Sequence, residues 1–313
     1  MGRPLVGPRN RACNDSVPLT KPLIQSTRIQ PVTTAAIIGA GDLGGAIAHA
    51  LAAREAVGRV VLIDAAGSAA VGKALDIQQM GAISGFATQL RGSSDITDAI
   101  GASVCLVADR FGAPSVEWAG EDGYAMLEQL ERAIRDVPLI LAGAGQGDLL
   151  LRAVRDAHVP RLRVMGSCAE AFASAIRAMV ALEARCAPAE VLLSVLGTPP
   201  DGFVVPWSEA TVGGYLVERV LAPVQLARIQ KRVANLWPPA PYTLGLAAAI
   251  VAESVVHAAR RSVHVLAVLD GELGVRGCVS AVPAFVATTG IVGTRAPSLS
   301  TRERVLLETA LGA

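Results

Sequence analysis

35-AAIIGAGDLGGAIAHALAA-53 is the stretch that decides the fold of this 313-residue chain. The opening AAIIGA is a short apolar run that reads as a buried strand. A glycine turn follows, and then an alanine-rich stretch with helical character. The turn, Gly39-Ala40-Gly41-Asp42-Leu43-Gly44, is a GxGxxG set between predicted strand and predicted helix. In that setting the first glycine permits the tight turn and the second lets the main chain approach a pyrophosphate. The third lets helix and strand pack closely. The helix N-terminus then offers free N–H groups and a partial positive charge to phosphate. A lone GxGxxG is a weak signal in a chain with 31 glycines, but its context adds to it. The next apolar run, 59-RVVLIDAA-66, ends in Asp64, twenty residues after Gly44. An acid there accepts hydrogen bonds from ribose hydroxyls and repels a 2′-phosphate, which favours NAD over NADP. The cofactor candidates are therefore Gly39, Gly41, Asp42, Leu43, Gly44 and Asp64.

Outward from this unit the pattern repeats. Residues 68–80 look helical, 103-SVCLVAD-109 and 138-PLILAGA-144 read as buried strands around a helical stretch at 122–135, and 161-RLRVMG-166 closes the series. Alternating strands and helices indicate βαβ units and a parallel, doubly wound sheet over 35–166. From residue 167 the style becomes α+β: a long amphipathic stretch at 168–185, then 190-EVLLSVLG-197, helical stretches at 215–236 and 242–260, and apolar runs at 263–271 and 278–290. Ser300 with Glu303 three residues on forms a capping box for a last helix. Residues 1–34, with five prolines and a single acid, read as a disordered arm. One segment sits awkwardly. In 107-VADRFG-112, Asp109, Arg110 and Phe111 follow a strand end that borders the crevice where a dinucleotide would lie, and they are bulky or charged. Whether that crevice is open is undecided at this level.

The charges exclude some partners. Lys plus Arg is 28 and Asp plus Glu is 27, so no broad field attracts nucleic acid or anionic lipid. The longest apolar candidate, 244–259, is interrupted by Glu253 and His257, so no membrane span is expected. Five widely spaced cysteines form neither CxxC nor a Cys/His cluster. Neither a disulfide framework nor a metal site is expected, and a reducing, cytoplasmic setting is the simplest reading.

Several segments, GAGDLGGAIAHAL, VLIDAAGSAAVGKALDIQQ, VLGTPPDGFVVPWSEATVGG, LGLAAAIVAESV and LDGELGVRGCVSAVPAFVATTGIV, resemble the lactate/malate dehydrogenase family in order and spacing over residues 35–313. The resemblance implies an N-terminal Rossmann NAD domain at 35–166, an α+β substrate domain at 167–313, and a homodimer or homotetramer. It also makes the GKALDI helix a dimer contact. The family moves a hydride between NAD and a 2-hydroxy acid. That chemistry needs a base, usually His, a carboxylate to orient it, and arginines to hold the substrate. Carried over by motif, the His position is Pro199, the orienting Asp is Phe172 and the carboxylate-binding Arg is Ala175. The mobile substrate loop, 112–123, holds neither Arg nor Lys. The Asn-Pro pair beside the nicotinamide falls on Gly145-Gln146, and the pocket Ser/Thr on Pro241.

Other groups have bland explanations beside the functional ones. Cys168 opens a helical stretch and is either a reactive thiol or a small buried side chain. Glu117, Glu121, Asp122 and Glu170 either make an acidic pocket or are solvated. Three functions stand open. The leading one is a catalytically degenerate NAD-binding family member that retains the adenosine half of its site. The second is an active NAD-dependent oxidoreductase on a different substrate. The third is a regulatory subunit of an intact dehydrogenase paralogue.

Overall fold

The parallel strands expected from the apolar runs form where they were read. In the computed structural model, β1 (Thr34–Ile38), β2 (Arg59–Ile63), β3 (Gln89–Ser93), β4 (Val104–Val107), a two-stranded hairpin of β5 (Asp109–Arg110) and β6 (Val116–Glu117), β7 (Leu139–Leu141) and β8 (Val164–Gly166) alternate with helices. The helices are α1 (Asp42–Ala53), α2 (Gly67–Ser84), α3 (Gly120–Ala133), α4 (Gly147–Arg155) and α5 (Cys168–Ala184). The structure describes Gly2 and residues 32–312. The disordered arm expected over 1–34 therefore lies outside the described residues, except for Gly2 and 32–34, and Thr34 already opens β1.

Strands β3, β2, β1, β4, β7 and β8 lie side by side in that order, all parallel. Counted among themselves, this is the 3-2-1-4-5-6 order of a dinucleotide-type sheet, and its switch point falls between β1 and β4. Both strands are almost wholly buried, which explains their unbroken apolar sequence. Besides the β5–β6 hairpin, two elements of this half have no signal in the apolar runs. β3 is a half-exposed strand at the end of the sheet, QLRGS, with no apolar run to announce it. The short helix α4 was also missed.

The remainder is α+β. Its strands are β9 (Val191–Leu192), β10 (Leu196–Thr198), β11 (Gly202–Val204), β12 (Thr211–Val212), β13 (Tyr215–Leu216), β14 (Ser262–Asp270), β15 (Arg276–Ala287) and β16 (Gly290–Thr294). Its helices are α6 (Val217–Val220), α7 (Pro223–Arg232), α8 (Pro241–Val256) and α9 (Thr301–Leu311). β14 joins β8 antiparallel, with Leu266 opposite Gly166, and β15, β10 and β11 extend the same sheet, so it runs on from the parallel half. The single helical stretch expected at 215–236 is broken instead. Pro223 has no N–H to continue a helix and drives Ala222 into extended backbone, so α7 starts afresh there.

Small side chains set the packing. α1 crosses α8 with Gly245 against Ala46, where a Cβ on residue 245 would strike the α1 backbone. The core around this crossing is largely Ala and Val, with Ala48, Ala52, Ala248 and Ala249 fully buried. This close approach anchors the N-terminal end of the fold, including the glycine turn, against the C-terminal half. Among the described residues, no single helix is long and apolar enough to cross a membrane.

Candidate functional site: a crevice filled by the chain's own carboxylates

The glycine turn connects β1 to α1 at the switch point. Gly39 has φ +110°, which a side-chain-bearing residue rarely adopts, and a Cβ there would strike the main chain of Asp109. Gly44 packs against the Gly39 carbonyl, the close helix–strand contact expected of the third glycine. The groups around Gly41 differ from expectation. A Cβ on Gly41 would collide with the Asp109 carboxylate, in the space the motif normally leaves for a pyrophosphate.

Asp109 is only 4% exposed. Its Oδ2 accepts a hydrogen bond from the Leu43 N–H at 3.1 Å and its Oδ1 from the Gly44 N–H at 2.9 Å. Its main-chain oxygen accepts from the Gly41 N–H at 2.9 Å. The carboxylate therefore caps the first turn of α1, where free N–H groups and the helix dipole favour a negative charge. Asp42 belongs to the same turn but is exposed, and no hydrogen bond to the crevice involves its side chain. Lys73 of α2 reaches the turn from outside and donates to the Gly41 carbonyl at 2.7 Å.

Asp64 is buried at the end of β2, as its position predicts, but its oxygens are engaged by main chain. Oδ2 accepts from Ala40 N–H and Phe111 N–H, both at 2.8 Å, and Oδ1 from Ala66 N–H at 2.8 Å. Phe111 belongs to the β5–β6 hairpin, so this hairpin ties to Asp64 as well as to the glycine turn.

The other arm of the hairpin fills the next part of the crevice. Glu117 Oε1 accepts from Ala144 N–H at 3.0 Å and Oε2 from Gly145 N–H at 2.8 Å, beyond the end of β7. Gln146 is 2% exposed; its Oε1 accepts from Gly143 N–H at 2.8 Å, and its Nε2 lies 3.3 Å and 3.4 Å from the carbonyls of Ala108 and Trp118. Gln146 thereby grips both ends of the hairpin. Outside, Arg110 pairs with Asp122 at 3.1 Å and stacks over the Trp118 ring at 4.9 Å. As folded, these residues do not fit a dinucleotide: the amides that would hold its phosphates are already bonded to carboxylates. The undecided question about the crevice is thus answered by Asp109 and Glu117 together. The sequence marked Asp109 as awkward, whereas nothing in it singled out Glu117 as an amide partner.

On the substrate side of the fold, Phe172 is fully buried and meets the rings of Phe203 and Trp237 edge-on, at 5.0 and 5.5 Å between centroids. Pro199 is buried in the turn joining β10 to β11, and Ala175 is half-buried on α5. Cys168 is fully buried, and burial, with the nearby charge of Glu117 adding to it, pushes its thiol up to about 12. Of the two readings for Cys168, the small buried side chain is the one this environment suits. The four acids do not form one pocket. Glu121 and Asp122 make surface ion pairs with Arg152 and Arg110, Glu117 points into the crevice, and Glu170 lies in a buried cluster with His264 and Arg177. That cluster escaped the sequence reading, because its partners lie on α5 and on the distant β14. Among the described residues no group of three His, Cys, Asp or Glu side chains could hold a metal ion.

No protein-family model matches the chain. Individual relatives do. The malate dehydrogenase of Sorangium cellulosum is 30% identical over 275 residues, covering 82% of this chain and 87% of that one. The malate dehydrogenase of Cytophaga hutchinsonii is 28% identical over 292 residues, covering 88% and 93%. Among solved structures, the malate dehydrogenase from Salinibacter ruber superposes with a TM-score of 0.79 at 24% identity, covering 90% of this chain and 94% of that one. The lactate dehydrogenase from Cryptosporidium parvum, complexed with lactic acid and nicotinamide adenine dinucleotide, gives 0.81 at 21%, covering 91% and 96%. Sheet order, glycine turn and these relatives agree, and the chain belongs to the lactate/malate dehydrogenase family.

Proposed function

We propose that this protein is a catalytically degenerate member of its family, a chain with the NAD-type fold that does not oxidise or reduce 2-hydroxy acids. The observation that carries this reading is the substrate side. Where the family's orienting carboxylate is matched, Phe172 packs between two aromatic rings. Where the base is matched, Pro199 offers no group that exchanges a proton. Loss of one acid–base partner costs about 10²–10⁴ in rate, and here base, orienter and substrate arginines are replaced together. In this reading residues 35–166 form the nucleotide-type domain and 167–313 the former substrate domain. The five widely spaced cysteines, with no CxxC among them, suit a reducing, cytoplasmic setting.

NADH oxidation followed at 340 nm with oxaloacetate or pyruvate, and NAD reduction with malate or lactate, test the proposal. The expected result is no rate above the protein-free control. Turnover that scales with protein concentration and disappears with denaturation overturns it.

A partner is part of the same reading. α2 carries Val71, Leu75 and Ile83 at 51%, 56% and 91% exposure, large apolar side chains on the helix that matches the family's dimer contact. A second copy of the chain, in a homodimer or homotetramer, covers them. An intact dehydrogenase paralogue on the same face is the alternative outcome.

A further inference from the structure

The two carboxylates in the crevice belong to one small element. In the hairpin, Asp109 is directly opposite Glu117, and directly opposed residues project from the same face. One face thus delivers a negative group to the first turn of α1 and another to the amides beyond β7. Phe111 N–H takes an oxygen of Asp64, and Gln146 lies against the carbonyls flanking both strands. The contacts involve residues the motif would assign to ligand: Leu43, Gly44 and Asp64.

A dinucleotide brings its pyrophosphate to the N–H groups at this helix end. Asp109 already holds them, and a phosphate entering beside it would face a like charge in a buried place. We infer that residues 109–118 are a built-in occupant of the dinucleotide crevice. The wild-type chain keeps the crevice amides satisfied without a ligand and excludes the pyrophosphate, and Asp109 is the group that enforces this. The hairpin is anchored at its two carboxylates, at Phe111 and through Gln146, so exclusion does not depend on a mobile loop closing over a bound molecule.

The test compares the wild-type chain with Asp109→Gly, which removes the carboxylate, and Glu117→Gln, which removes the second charge. NADH is the probe, read by its fluorescence and by amide hydrogen exchange. In the wild type, exchange at Leu43 and Gly44 is slow and stays unchanged by NADH up to about 1 mM, the limit of weak binding. Asp109→Gly binds NADH roughly tenfold or more tightly than wild type, and the double variant more tightly still. NADH-dependent protection of Leu43 and Gly44 in the wild type overturns the inference. So does an Asp109→Gly protein that folds, by circular dichroism, yet binds no better. Should that variant fail to fold, the wild-type exchange measurement decides alone. The two readings fail distinguishably: NADH protection without turnover sinks the exclusion alone, whereas NAD-linked turnover of a 2-hydroxy acid sinks both, because hydride transfer needs the dinucleotide bound.

Discussion

At the residue scale, Glu170 shows how a side chain that looks like part of an acidic pocket becomes a buried structural ion. Its Oε2 accepts from the His264 main-chain N–H at 2.8 Å and lies 3.0 Å from His264 Nδ1, while the Arg177 guanidinium holds Oε1. Burial pushes the carboxyl up, but the His264 hydrogen bond, the His264 and Arg177 charges and the main-chain N–H outweigh it and hold it down at about 2. Its folded value lies below its ordinary 4.5, so the stabilisation is fully present above pH 4.5. It is lost as pH falls through about 2, and is worth about 3 kcal/mol by linkage. Urea midpoints measured between pH 5 and pH 2 should fall across that window, and Glu170→Gln should flatten this part of the profile. At neutral pH, Glu170→Gln should lose about 3 kcal/mol, because the Arg177 guanidinium remains without its counter-charge. A variant with the wild-type acid profile excludes this role. Glu170 was visible in the sequence as an acid near the expected pocket, but its partner His264 is 94 residues away.

At the element scale, the legible features are those whose cause is local. The capping box of α9 was readable from Ser300 and Glu303 alone. The structure adds that Glu303 also accepts from Ser208, from its hydroxyl at 2.6 Å and its N–H at 3.1 Å, so one carboxylate serves a helix end and a neighbouring loop. Ser300→Ala should therefore cost about 1 kcal/mol, the usual value of an N-cap. Glu303→Ala should cost about 2 kcal/mol, because it removes the two Ser208 hydrogen bonds as well as the cap. Thermal unfolding of the two variants checks the order, and equal losses would show that the loop contact contributes nothing. The β5–β6 hairpin is the opposite case. Its strands are two residues long and lack an apolar alternation, and they are held by partners on β2, α1 and the loop after β7, none of which is local. Its sequence by itself carries only the signature of a loop after a bulky, charged strand end.

At the scale of the whole molecule, the exposed apolar face of α2 bears on assembly. Multi-angle light scattering should give a mass at least twice the 32.2 kDa of the chain, and Leu75→Glu should shift it toward one chain's mass without loss of secondary structure. A wild-type monomer at micromolar concentration rules out the α2 contact. The sequence by itself determined the glycine turn and the five parallel strands that carry apolar runs, β1, β2, β4, β7 and β8. These follow from apolar runs, spacing and residue type, which act over a few positions along the chain. Only the tertiary structure decided what fills the crevice. Asp109 and Glu117 reach amides 27 to 66 residues away, so their role exists only once the switch point has formed and brought those free N–H groups within hydrogen-bonding range.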